Sequence, residues 1–156
     1  MIFSRVMAAV LLVFLLLSAC HQDTEQDKVK NVITEIRKAG EEKDVKTVLG
    51  HLSKTYRDPQ GYDYDGIKGL LLYYFFRHQK VSVFIPNLDI TVAGSSAKAV
   101  FQAVLSGGNK VGSPGDLIPE ALGMYEFDVS FAKESGEWKV TSAVWKKAGE
   151  GPSTGF

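Results

Sequence analysis

Apolar positions change their spacing several times along the chain, and each change marks an element. Val6 to Leu17 is an unbroken apolar run that gives way to the polar stretch His21 to Lys30. Such a run falls short of the roughly 20 residues that cross a hydrocarbon core. From Asp27 to Ala39, Val29, Val32, Ile33 and Ile36 recur at helical spacing, with Gly40 placed as a C-terminal stop. Asp44 is set to cap a shorter helix carrying Val45, Val48, Leu49 and Leu52, which ends before Asp58-Pro59. Tyr56 to Tyr64 is rich in turn residues. Asp63 or Asp65 then caps a third helix whose expected buried side is Ile67, Leu70, Leu71, Tyr74 and Phe75.

After His78 the period shortens to two. Val81 to Val92 is rich in branched residues and is interrupted at Pro86-Asn87, which predicts a long strand with a kink or bulge. Gly94-Ser95-Ser96 marks a turn, after which Ala97, Ala99, Phe101, Ala103 and Leu105 alternate. Tyr125, Phe127, Val129 and Phe131 alternate in the same way. Ser135-Gly136 turns the chain into Glu137 to Lys147, where Trp138, Val140 and Val144 are expected on one side. Ser106 to Gly123, with five glycines and two prolines, reads as a long connection of the kind that is usually functional or mobile. Helices followed by antiparallel strands define an α+β domain over residues 27–147, with a flexible tail at 148–156.

The opening residues change this picture. Arg5 and the amino terminus precede the apolar run, as in an export signal. Leu17-Ser18-Ala19-Cys20 resembles the lipobox of bacterial lipoproteins, and Cys20 is the only cysteine. That resemblance implies removal of residues 1–19, acylation of Cys20 and a stable membrane anchor, because two or more acyl chains hold where one does not. Residues 20–26 are the lipidated cysteine and a short polar leash, and His21 to Gln26 reach roughly 20 Å when extended. An Asp after the cysteine is the family's inner-membrane signal in Gram-negative bacteria. His21 stands there instead, so the expected address is the periplasmic face of the outer membrane.

Without the leader, all 18 acidic residues face every basic residue but Arg5, a net charge of about −1. Balanced charge without a basic stripe argues against a nucleic-acid partner, since phosphate binding needs clustered Lys and Arg.

The Tyr56-Arg57-Asp58-Pro59 loop, the third helix, and the hairpin Lys133 to Val140 with its acidic-Gly-x-Trp-x-Val pattern resemble the NTF2-like, cystatin-like superfamily. The resemblance implies three N-terminal helices packed on a curved four-stranded antiparallel sheet, a cone. It spans enzymes of the ketosteroid-isomerase and dehydratase kinds as well as non-catalytic binding and assembly domains, so function must come from the site.

An isomerase site needs a carboxylate base in an apolar pocket and hydroxyl donors. Asp58 with Tyr56 could supply these, helped by Tyr74 and Tyr125, although Asp before Pro is also an ordinary turn residue. Asp58, Asp63 and Asp65 lack the density of a calcium loop, and His51 and His78 lack zinc-ligand spacing, so no metal or cofactor is expected. Gly107 to Ser113 lacks the Lys of a phosphate loop. The aromatic run Tyr73 to Phe76 has two readings: core packing with a homodimer contact, or an apolar pocket lined by Tyr74, Phe75, Phe101, Tyr125, Phe127 and Trp145. The leading expectation is a lipid-anchored, non-catalytic domain that binds a small apolar ligand or an envelope protein. The alternative is a small-molecule isomerase or dehydratase using Asp58.

Overall fold

The computed structural model describes residues 23–107 and 121–149. The expected leader, Cys20, most of the Gly/Pro-rich connection and most of the tail therefore lie outside the described residues.

Helix α1 spans Glu25–Glu41. Thr24 and Asp27 form a reciprocal capping box at its start, satisfying backbone N–H groups that the first turn leaves unpaired. Gly40 does not stop the helix. The chain reverses three residues later, where Lys43 adopts φ 58°, and the Lys43 ammonium donates to the carbonyls of Phe75 and His78. Helix α2, Val45–Gly50, is capped by Asp44, and helix α3, Tyr64–Arg77, by Asp63. His51 and His78 sit at the C-terminal caps of α2 and α3.

The strands are β1 (Ser82–Phe84), β2 (Leu88–Ala93), β3 (Ser96–Ser106), β4 (Ala121–Glu134) and β5 (Glu137–Lys147). All pairings are antiparallel, and the sheet is open. One long edge strand was expected before β3. It is divided by Ile85-Pro86-Asn87 into β1 and β2, which pair with opposite ends of β3 and raise the count from four strands to five. Proline has no N–H for the ladder, so the break falls where the ladder cannot continue. Ser135-Gly136 makes the β4–β5 turn with positive φ at both residues, a geometry that matches strand twist.

Across the inner face run Ala97, Ala99, Phe101 and Ala103 on β3, opposite Phe131, Val129, Phe127 and Tyr125 on β4. On β5 the expected alignment fails after Val140. Phe131 pairs with Val140 and Ser130 with Ser142, so Thr141 is an extra residue. This bulge reverses the alternation, placing Ala143 and Trp145 inside and Val144 outside, where it is 41% exposed.

The core joins Val29 and Ile33 of α1 and Val48, Leu49 and Leu52 around α2 to Ala97, Ala99, Val129, Phe131, Trp138 and Val140. Small side chains on central strand β3 leave room for the helix layer, while Phe131 and Trp138 fill one end. Glu25 locks that end. Its carboxylate accepts from Lys133 Nζ at 2.9 Å, Trp138 Nε1 at 2.8 Å and Lys28 Nζ at 2.8 Å. The outer face is polar, with Lys98–Asp128 and Lys146–Glu126 pairs whose exposure makes them weak contributors.

Helix α3 differs from expectation in depth. Ile67, Leu70, Leu71, Tyr74 and Phe75 do face inward but are only half-buried, and no residue of α3 is fully buried. Leu72, Tyr73 and Phe76 point outward at 52, 57 and 92% exposure. The helix thus presents apolar surface on both sides.

Phe131→Ala should cost about 3–5 kcal/mol in urea unfolding, whereas Val144→Thr on the outer face should stay within about 0.5 kcal/mol. Hydrogen bonds from Lys28, Lys133 and Trp138 lower the Glu25 carboxyl from its ordinary 4.5 to about 2. A depressed pKa contributes stability above the unfolded value and loses it as pH falls through the folded one. Melting temperature should therefore drop between pH 4.5 and about 2, and Glu25→Gln should flatten that acid limb.

Candidate functional site

The residues singled out as catalytic and those singled out as pocket-lining form two groups that meet at Tyr62. The first is Tyr56 with Asp58. Tyr56 is 2% exposed, and its hydroxyl donates to Asp58 Oδ2 at 2.8 Å while lying against the Ala143 N–H. Asp58 Oδ1 accepts from the Tyr62 N–H at 2.9 Å, and backbone bonds link Asp58 to Tyr62 and Gly61. Burial, followed by the Asp58 contact, pushes the Tyr56 phenol well above its ordinary value of 10.

This knot closes the outer edge of β5. Val140 exchanges backbone bonds with His51 and Ser53, and the Arg57 N–H donates to the Thr141 carbonyl. The Gln60 amide donates to the Trp145 carbonyl at 3.2 Å and accepts from its N–H at 3.4 Å. From Val140 to Trp145 the edge is thus capped by loop backbone and side chains, which blocks pairing with another strand. Both Asp58 oxygens serve this cap, so Asp58 is held as a structural brace.

The second assembly lies further along the sheet. Phe101, Phe127 and Trp145 occupy one cross-strand row on the inner face, and Leu88 extends it to the β2 edge. The Phe101 and Phe127 rings stack at 5.1 Å, and Tyr62 stacks on Trp145 at 5.8 Å. Phe101, Phe127, Trp145 and Tyr62 are all half-buried. Beyond the row, the Tyr74 side chain lies beside Tyr125, whose cross-strand neighbour is Lys147. Burial, then the Tyr125 contact, raises the Tyr74 phenol, while the Lys147 charge opposes the rise. The His78 ring lies 5.2 Å from Tyr74.

Five of the six expected pocket residues thus make contacts of this kind on or beside the inner face of the sheet. Phe75 adds a half-buried ring on the adjoining face of α3. The site offers a half-open aromatic surface ending in two hydroxyls and an ammonium, suited to an apolar body with a polar end. Ala143, beside Tyr56, and Lys147, beside Tyr125, lie four positions apart on β5, or about 13 Å along a strand. Asp58 adjoins the aromatic row through Tyr62, and both its oxygens are taken, by Tyr56 and by the Tyr62 N–H.

Tyr62, Lys147 and Gln60 were not anticipated from sequence. Alternation from Ala143 through Trp145 pointed to Lys147 once the bulge was known, but no sequence signal marks Gln60. Of the two depressions described here, the larger is a cleft of about 1480 Å3 between α1 and the β1–β2 edge, lined by both acidic and basic side chains. Gln26 bonds to the Ile90 carbonyl on one flank of it and Glu41 accepts from the Val83 N–H on another. The smaller, about 310 Å3, lies beside His51, whose ring is 3.0 Å from Glu35. Neither includes Asp58 or the aromatic row. Among the described residues, no three His, Cys, Asp or Glu side chains are grouped to hold a metal, and no helix is long and apolar enough to cross a membrane.

Comparison by sequence finds no matching family model and no matching curated protein. Comparison of structures is informative. The chain is similar to an NTF2-like protein of unknown function from Pseudomonas putida KT2440, with 14% identity and a TM-score of 0.63 over 78% of this chain and 84% of that one. It is similar to a cystatin-like-fold protein from Nostoc punctiforme, with 12% identity and a TM-score of 0.63 over 83% of this chain and 96% of that one. A candidate scytalone dehydratase from Novosphingobium aromaticivorans gives 12% identity and a TM-score of 0.66 over 80% of this chain and 84% of that one. The architecture is therefore the NTF2-like, cystatin-like α+β fold, with three helices on an open five-stranded antiparallel sheet.

Tyr56→Phe should destabilise the domain by about 1–3 kcal/mol in equilibrium unfolding, because the Asp58 carboxylate and Ala143 N–H lose a buried partner. Wild-type stability in that variant would show that the knot does not hold the edge.

Proposed function

We propose that the chain is a lipid-anchored cell-envelope protein whose domain binds a small apolar molecule, without catalysis, at the aromatic end of the cone. The observation that carries this reading is the row Phe101, Phe127 and Trp145, which lies on the inner face yet is only half-buried, as is the inward side of α3. Apolar surface of this kind, rimmed by a few polar groups, suits an apolar ligand. Tyr74, Tyr125 and Lys147 would hold its polar end. Cys20 at the end of an export-type leader supports attachment to a membrane, and His21 supports an outer-membrane, periplasm-facing address. An envelope protein partner could use the same apolar surface.

The second reading, a dehydratase or isomerase, draws support from the Tyr74–Tyr125 hydroxyl pair and from the structural likeness to a candidate scytalone dehydratase. Against it, Asp58, the expected base, has both oxygens engaged, by Tyr56 and by the Tyr62 N–H.

Cells expressing the protein should incorporate labelled palmitate into it, and Cys20→Ala should abolish the label. A fluorescent fatty-acid analogue should bind the purified protein, with Phe127→Ala weakening binding about ten-fold, or about 1.4 kcal/mol. Asp58→Asn should lower stability but leave binding intact. An Asp58→Asn protein that folds normally and loses turnover of a small hydroxylated substrate would favour the enzyme reading.

A further inference from the structure

The largest exposed apolar side chains of the described residues gather on one helix. Leu72, Tyr73 and Phe76, on the outward side of α3, are 52, 57 and 92% exposed, while the exposed Val100 and Val144 are smaller and lie on the outer sheet face. Isolated exposed apolar residues are ordinary, but three on adjoining turns form a patch that marks a contact surface.

The charges nearest the patch are basic. Lys68 stands one turn before Leu72, and Arg77 and Lys80 follow Phe76. All three are exposed, and none forms an ion pair among the described residues. Arg77 lies over the Tyr73 ring at 5.6 Å and donates to its hydroxyl at 3.1 Å, which holds the guanidinium at the rim of the aromatic surface. At the helix start, Lys54 lies over the Tyr64 ring at 3.9 Å. The acidic residues Asp63 and Asp65 are confined to that start. Asp63 is the cap, and Asp65 lies seven positions, about 10 Å, before Leu72. With both acids counted, the basic residues still prevail. An aromatic and apolar helix face bordered by Lys and Arg suits the interface of a bilayer that carries anionic phospholipid.

Chain length supplies an independent reason for that occupant. Four residue steps separate Cys20 from Thr24, the cap of α1, or at most about 14 Å. Helix α1 packs on α2 and α2 on α3, so the tethered helix and α3 belong to one layer. The outer sheet face lies on the opposite side of the domain and carries the Lys98–Asp128 and Lys146–Glu126 pairs, whose charges favour water. A domain acylated at Cys20 is held close to the bilayer by the layer that bears the patch.

We infer that α3 docks its outward face on the bilayer that holds the Cys20 acyl chains. Leu72, Tyr73 and Phe76 enter the headgroup region, and Lys68, Arg77 and Lys80 meet anionic phosphates. The inference rests on the anchoring proposed above: the acyl chains attach the domain, and the helix orients it. The inward side of α3 carries Phe75 and Tyr74, the latter beside Tyr125, so docking sets the candidate ligand site about one helix diameter, roughly 10 Å, from the bilayer. An apolar ligand then has a short path from leaflet to aromatic row.

The test uses the acylated mature protein in vesicles of phosphatidylcholine and phosphatidylglycerol, with a nitroxide on the lipid acyl chains and an environment-sensitive fluorophore on an introduced cysteine. A probe at Phe76→Cys should be quenched by the nitroxide, and one at Val100→Cys on the outer sheet face should not. If Phe76→Cys fails to fold, Leu72→Cys carries the same probe. Reversing two charges, Lys68→Glu with Arg77→Glu, should lower the ratio of docked to free domain at least about ten-fold while the protein stays on the vesicles. Vesicle-bound protein with no quenching at position 76, or with equal quenching at 76 and 100, would overturn the docking and leave the anchoring intact. A probe at 76 that is shielded from water but insensitive to the nitroxide would mark a second copy on this face and overturn it too. Mature protein without acyl chains at Cys20 would overturn the anchoring, and the docking with it.

Discussion

Burial of α1 against the alanine-lined end of the inner sheet face is the contact on which the rest of the structure depends. Val29 and Ile33 share one core with Ala97, Ala99, Val129, Phe131 and Trp138. Glu25 ties the start of the helix to the β4–β5 hairpin through Lys133 and Trp138. Gln26 and Glu41 tie it to the β1–β2 edge. The helix runs from the β4–β5 hairpin, which Glu25 holds, to β1, where Glu41 meets Val83, and Phe101, Phe127 and Trp145 elsewhere on the inner face are only half-buried.

The two edges of the sheet are protected by different means. On β5, the loop from His51 to Gln60 supplies backbone and side-chain partners as far as Trp145, with Asp58 bracing Tyr56 and Tyr62 behind it. On the opposite edge, Pro86 shortens the strand and two side chains of α1 take backbone groups of β1 and β2. Asp58 therefore has a structural role that accounts for both carboxylate oxygens.

Elements with strong periodicity were legible in the sequence. The amphipathic pattern of α1, the Asp44 and Asp63 caps, the kink at Pro86 and the alternation of β3 and β4 each reflect a local rule that tertiary packing did not override. The misses arose from tertiary events. Gly40 lies within α1 because the reversal was taken up at Lys43, whose side chain is held by the end of α3. Val144 faces outward because Thr141 bulges, and a bulge leaves no composition signal. The inward stripe of α3 was read correctly, but its shallow burial depends on what the sheet leaves room for. Asp58 and Tyr56 meet because, two residues apart, they lie within local reach of each other. Their separation from Tyr74 and Tyr125 depends on strand register, which local pattern does not specify.

The two tryptophans give the most direct test of the central claim, that the aromatic end of the cone receives an apolar ligand. The Trp138 indole N–H is bound to Glu25 in the closed end, and Trp145 lies in the exposed row against Tyr62. Titration of 15N-labelled protein with a medium-chain fatty acid should shift the Trp145 indole signal in a saturable way and leave that of Trp138 unmoved. A Trp145 signal that does not respond at saturating ligand, or a response confined to Trp138, would contradict the account.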